Sequence, residues 1–273
     1  MITRPVPPSF ETLFLGEALD REAALDAFSL GLRRRPLVTT TLCVLLLLLH
    51  LGVGGLDYVT GQFSFWGSLV WARTPESLAA AGARVSEAVA IGQTWRMVTC
   101  LFLHADWLHF GLNTLALFGL GRLAEALFGR ARLLALFLGA GLGGSILSQL
   151  GPSTMSVAAS GAVFGLMGAC IAFGFRHRTV LPVDLRRLLV RGLMPWVVLN
   201  LVIGFTVPRI DNLGHIGGLL TGAVLGLLLR DRIIPGDPEQ SGSRGGALAG
   251  LCVGVICWGL MNASWSVAGL FGG

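Results

Sequence analysis

The chain has 273 residues, of which 53% are hydrophobic and only 13% charged, with a formal charge of +5 and a mean hydropathy of +0.74. That excess of apolar residues excludes an ordinary soluble domain and makes a multi-pass membrane protein the expected class. The positive charge does not point to nucleic acid, because the basic residues, all arginine, are spread among the segments between apolar runs and read as topology signals.

In chain order, residues 1–36 carry Glu11, Glu17, Asp20, Glu22 and Asp26, and no cleavage-type motif follows the first apolar run. They read as a cytoplasmic amino-terminal segment, with a short amphipathic helix over 17–32 ahead of Arg33-Arg34-Arg35. A hydrocarbon layer about 30 Å thick takes roughly 20 apolar residues per helix. Runs of that kind lie near residues 37–55, 105–127, 131–150, 156–175, 188–207, 213–229 and 246–269, which predicts seven spans in an all-α polytopic bundle. The first six form a unit over 37–230. Residues 231–245 follow as a cytoplasmic linker, and 246–273 as an additional carboxyl-terminal transmembrane helix.

The connection between spans one and two is long, with Phe63, Phe65, Trp66 and Trp71 ahead of an alanine-rich stretch at 77–90. It is too polar to cross, and its aromatics suit the outer headgroup level. Spans three, four and six are rich in glycine and alanine, which lets helix backbones approach closely, so they are predicted to form the packed interior. Arginine is dense before span one and after spans two, four and six, which puts the amino terminus inside and, with seven spans, the carboxyl terminus outside. The five cysteines show no metal-ligand spacing and carry no chemistry in this reading.

Ionisable residues within spans are expensive and ask for a reason. His104, His109 and Asn113 enter span two, Ser160 enters span four and His215 enters span six. A chain that starts inside begins each even-numbered span at the outer face, so all of them share one depth. His109 and Asn113 lie four apart on one helix face, while His215, Gly218 and Gly222 share another. Ser160-Gly161-x-x-x-Gly165 has the small-residue spacing that permits close helix crossing. Two glycine-faced helices can thus bring Ser160 to His215, whose neutral imidazole suits a base that activates a hydroxyl. Backbone N–H groups at the start of span four, with His109 and Asn113, are candidates for stabilising the resulting oxyanion. Taken singly, Ser160 reads as a packing residue and His215 as a core histidine bonded to a neighbouring helix. Their common depth favours the catalytic reading. No acidic residue is placed to orient His215, since Asp211 lies one turn before it. A metal site built from His104, His109 and His215 is disfavoured, because no helix carries paired ligands.

The motifs Trp95-Arg96, His104-x4-His109-x3-Asn113, Gly121-x3-Glu125-x3-Gly129, Ser160-Gly161-x3-Gly165 and Gly214-His215-x2-Gly218-x3-Gly222 occur in this order. Together, from Gly92 to Gly222, they resemble the rhomboid family of intramembrane serine proteases. The resemblance implies a rhomboid-like six-helix core with a water-filled site open to the outer face. It implies Ser160 as nucleophile, His215 as base, and His109, Asn113 and the Ser160 N–H as oxyanion donors. His104, Gly161, Gly218 and Phe164 are supporting residues, and the Phe164 ring stacks on His215 where the family often has tyrosine. Ala158 stands where the family usually has glycine. The implied substrates are transmembrane proteins cut in or near the bilayer, with no cofactor, no metal and no nucleic acid. The expected location is a bacterial inner membrane. The alternative is a catalytically inactive rhomboid-like protein that binds membrane clients.

Overall fold

A computed structural model describes residues 10–70, 72–152, 154–157, 159–207, 210–229 and 243–270. Trp71, Ala158, most of the predicted linker over 231–245 and the first nine residues lie outside the described residues. The molecule is an all-α bundle of the polytopic membrane class.

The amino-terminal helix, Phe10–Arg33, is longer than the amphipathic stretch expected from the sequence. It stops at Arg34-Arg35-Pro36, where proline lacks the donor a continuing helix needs and also disfavours helical geometry in the residue before it. The first span, Leu37–Val59, restarts from Pro36. Its amino-terminal end is tied to the second span, Trp107–Phe128, by one carboxylate. Glu125 accepts from the Thr39 N–H at 3.0 Å and the Thr39 hydroxyl at 2.8 Å. Arg130 stands 3.6 Å from the other oxygen. This satisfies a donor that the start of a helix otherwise leaves open, and gives a buried charge its partners.

Gly129, at φ +84°, turns the chain sharply from the second span into the third, Arg130–Gln149, in a backbone region that side-chain-bearing residues rarely adopt. The fourth span, Ser160–Arg176, is buried continuously from Gly161 to Gly174 and forms the axis of the bundle. It packs chiefly against the sixth span, Asn212–Leu228, and the sixth against the third. At Gly218 an added Cβ would overlap the Gly161 carbonyl, and at Gly222 the Gly165 carbonyl, so the two backbones touch directly. In a bilayer, where apolar burial does not separate helix from lipid, such close contact supplies the association energy.

The fifth span, Met194–Thr206, is preceded by a short helix, Val183–Arg187, and a π-turn, Leu188–Gly192. Only 17% of the most apolar window in this run is buried, against 56% for the third span, so it lies at the periphery with its side chains toward lipid. The seventh span, Ser243–Ala268, packs on the third span and on the short helix Arg96–Thr99.

The long connection between the first two spans proves more structured than its composition implied. It holds the short helices Phe65–Val70, Pro75–Ala80, Ser86–Ala90 and Arg96–Thr99. Its strand Arg84–Val85 pairs antiparallel with Met155–Ser156, just ahead of Ser160. The arginines in it are folded inward. Arg84 is fully buried and donates to Ser86 Oγ at 2.9 Å and Gln149 Oε1 at 2.8 Å. Arg96 donates to Gln93 Oε1 at 2.7 Å and lies over the Trp95 ring, 4.6 Å from its centre. Trp66, Val70 and Ile91 are exposed apolar residues of the segment, free to meet an interface.

Candidate active site

Ser160 is the first residue of the fourth span and His215 lies in the first turn of the sixth. The backbone contact at Gly161 and Gly218 holds these two helix starts together, and Ser160 Oγ stands 2.9 Å from His215 Nε2. Phe164, one turn after the serine, lies flat against the imidazole, with centroids 4.3 Å apart and planes within 6°. The ring therefore has one face on an aromatic and one edge on the hydroxyl. His215 Nδ1 is buried with no partner among the described residues.

Asp211 does not orient the histidine. Its Oδ1 caps the sixth span by accepting from Gly214 N–H at 2.9 Å. Its Oδ2 accepts from Ser156 Oγ at 2.9 Å and from Ser148 Oγ. One carboxylate thus joins the third span, the strand before Ser160 and the start of the helix that carries His215.

The second span begins at Asp106, whose side chain accepts from the His109 N–H at 2.8 Å. Asn113 is buried, and its Nδ2 donates to the His109 carbonyl at 2.9 Å, one turn back on its own helix. The structure thus joins Asn113 to the His109 backbone rather than to Ser160. His109 is within electrostatic reach of His215, and its ring meets that of His104 edge to face at 5.4 Å. His104, 1% exposed, sits in the loop just before the span with neither ring nitrogen bonded among the described residues. Burial, reinforced by the His109 and His50 rings, pushes its pKa down to about 3, so it is neutral at pH 7.

Sequence reasoning left His50 without a partner. In the structure its ring stacks on Phe110 at 5.1 Å, meets Trp107 at 4.5 Å, and lies 3.3 Å from an Arg73 guanidinium nitrogen. Arg73 also donates to the Ser68 carbonyl, and its own N–H bonds Ala105 O at 2.7 Å. Asp57, fully buried at the carboxyl-terminal end of the first span, accepts from Thr74 Oγ1 at 2.7 Å. A histidine in a span asks for a partner, but three arginines, Arg73, Arg84 and Arg96, lie in the following loop, and the sequence does not choose among them.

A polytopic helix bundle with a serine and a histidine hydrogen-bonded where two glycine-faced helices begin is the class that fold and site define. A Rhomboid domain model matches residues 91–232, and the chain belongs to the rhomboid family. It is 38% identical over 156 residues to Rhomboid protease GluP of Bacillus subtilis, a match covering 56% of this chain and 30% of that one. It is 40% identical over 151 residues to RHOMBOID-like protein 5 of Arabidopsis thaliana, covering 54% of this chain and 48% of the relative. Rhomboid-like protease 2 of Toxoplasma gondii is 29% identical over 172 residues, 59% and 57% of the two chains. The chain thus spans less than half the length of the first two relatives.

Proposed function

We propose that this protein is an intramembrane serine endopeptidase that cuts transmembrane proteins in or near their membrane segments. The observation that carries the reading is the 2.9 Å contact between Ser160 Oγ and His215 Nε2. With the imidazole proton on Nδ1, the Nε2 lone pair takes the serine proton as Oγ attacks the scissile carbonyl. The tetrahedral oxyanion is held by the Ser160 N–H and by the side chains of His109 and Asn113, the amide of Asn113 turning from the His109 carbonyl to the substrate. Collapse passes the proton from Nε2 to the leaving amine and leaves an acyl-enzyme on Ser160. Water, deprotonated by His215, then hydrolyses it. Neither a metal nor a cofactor enters this route. The family membership and the rhomboid proteases among its relatives support this reading, as does the packing of Phe164 on His215.

In this reading residues 37–230 are the protease unit and the seventh helix is an addition to it. The amino terminus is cytoplasmic and the site opens toward the outer face, as the arginine distribution favours. A cell membrane of a bacterium is the setting the sequence favours, although relatives occur in plants as well.

The test is cleavage of a model transmembrane substrate by purified, reconstituted protein. Ser160→Ala and His215→Ala each abolish cleavage, and a fluorophosphonate probe labels the wild type but not Ser160→Ala. Cleavage that survives Ser160→Ala removes the dyad mechanism. A wild type that neither cleaves nor labels returns the chain to the client-binding alternative.

A further inference from the structure

At the end of the fourth span opposite Ser160, the structure holds a cavity of about 290 Å³ between that helix and the segment leading into the fifth span. Four arginines border it, Arg178, Arg186, Arg187 and Arg191, all of them exposed. Apolar wall comes from Phe175, Val183 and Val190. The fold makes this space by two local features. The π-turn Leu188–Gly192 inserts an extra residue into the helical ladder where Val190 and Arg191 meet the cavity. Gly174 lets that turn close on the fourth span, since a Cβ there would come 2.9 Å from Val190 Cγ2 and 3.2 Å from Leu189 Cβ.

The charge in this cavity is not balanced from within. Among the described residues the one carboxylate paired with any of the four is Asp184, 3.6 Å from Arg187. Both side chains of that pair are largely exposed, at 63% and 97%, so it contributes little. Arg186 donates to the Arg178 carbonyl at 3.4 Å, which ties the loop but adds no negative charge. A need for arginine at the inner membrane face explains why the residues are basic, but not why four border one pocket. Four exposed arginines around one pocket make a local excess of positive charge that favours an anion, and planar guanidinium groups match phosphate oxygens in forked pairs. The rim is apolar as well. Leu188, Met194 and Trp196 are exposed beside the cavity on the lipid-facing run.

We propose that this cavity binds the phosphate headgroup of an anionic phospholipid from the cytoplasmic leaflet, with the acyl chains lying along the exposed apolar face that begins at Leu188. The apolar rim selects a lipid over free phosphate, and the cationic wall selects an anionic headgroup over a zwitterionic one. The site stands apart from the Ser160–His215 pair and holds whether or not the protein cleaves anything.

Native mass spectrometry of the purified, delipidated full-length protein tests this, with phosphatidylglycerol, phosphatidylcholine and inorganic phosphate as separate ligands. The wild type retains phosphatidylglycerol with a preference of at least about tenfold over phosphatidylcholine, as several clustered arginines require. The triple substitution R178Q/R187Q/R191Q removes the preference. R33Q/R34Q/R35Q, which takes the same charge from the exposed run before the first span, keeps it. Val183→Trp fills the cavity without touching a charge and also removes the preference, which decides the matter should the triple variant fail to fold. Equal loss in both triple variants means diffuse surface charge and overturns the site. Inorganic phosphate binding as tightly as phosphatidylglycerol, or Val183→Trp retaining the preference, overturns it too.

Discussion

Phe164 covers one whole face of the His215 imidazole, so the ring that must point Nε2 at Ser160 is held by packing on one side and by the hydroxyl at its edge. Stacked aromatic pairs contribute about 0.5–1.5 kcal/mol beyond the area they bury, which converts to as much as about a tenfold change in a rate that depends on the alignment. Phe164→Ala is therefore expected to slow substrate cleavage by about that factor, with fluorophosphonate labelling slowed in parallel. Phe164→Tyr keeps the ring and stays near the wild type. Equal rates for Phe164→Ala and wild type show that the stack plays no part in aligning the base. The approach of the serine to the histidine was expected from glycine spacing on two helices, whereas the aromatic beside the ring was implied by the family resemblance. The partners of His50 and Asp211 were not legible in the sequence. Arg73, Ser148 and Ser156 reach them from other segments, and hydrogen bonds between distant segments leave no periodic trace in a chain. Asp211, one turn before His215, illustrates this: its position excluded it from orienting the histidine, but the helix cap and the two serines that its oxygens serve could not be read from spacing.

At the scale of elements, the site is a consequence of how closely the fourth and sixth spans cross. Glycine at 218 and 222 places backbone on backbone, and the two functional side chains stand at the helix starts nearest that crossing. Gly218→Leu has to drive the helices apart, because its Cβ would occupy the place of the Gly161 carbonyl. The expected result is loss of fluorophosphonate labelling at Ser160 together with a lower unfolding temperature. Gly119→Leu, in the second span, is the matched control, since an added Cβ there meets nothing within 4 Å, and it leaves labelling unchanged. Labelling that persists in Gly218→Leu means the crossing has slack that the packing does not show. The richness of these spans in small residues announced this interior correctly. The π-turn before the fifth span had no such announcement, because a single inserted residue does not disturb an apolar run that faces lipid over most of its surface.

For the molecule as a whole, span number and arginine placement together set which membrane face each site occupies. Hydropathy made the seven helices legible with their order, although four runs alone are long and apolar enough to cross by length and composition among the described residues. The fourth and sixth are shorter, and the second carries Arg122 and Glu125 toward its carboxyl-terminal end. An amino terminus inside puts Ser160 and His215 toward the outer face and the arginine-lined cavity toward the cytoplasm. A full-length protein with its five natural cysteines replaced allows this to be read directly. Ser64 lies in the connection after the first span and Thr179 in the one after the fourth, both exposed. A membrane-impermeant maleimide applied to intact cells is expected to label the Ser64→Cys variant at once and the Thr179→Cys variant only after the membrane is opened. The reverse pattern inverts the whole bundle. It would move the proposed lipid site to the other leaflet and the Ser160–His215 pair to the other face, while leaving the contact between them intact, since that depends on the glycine crossing and not on orientation.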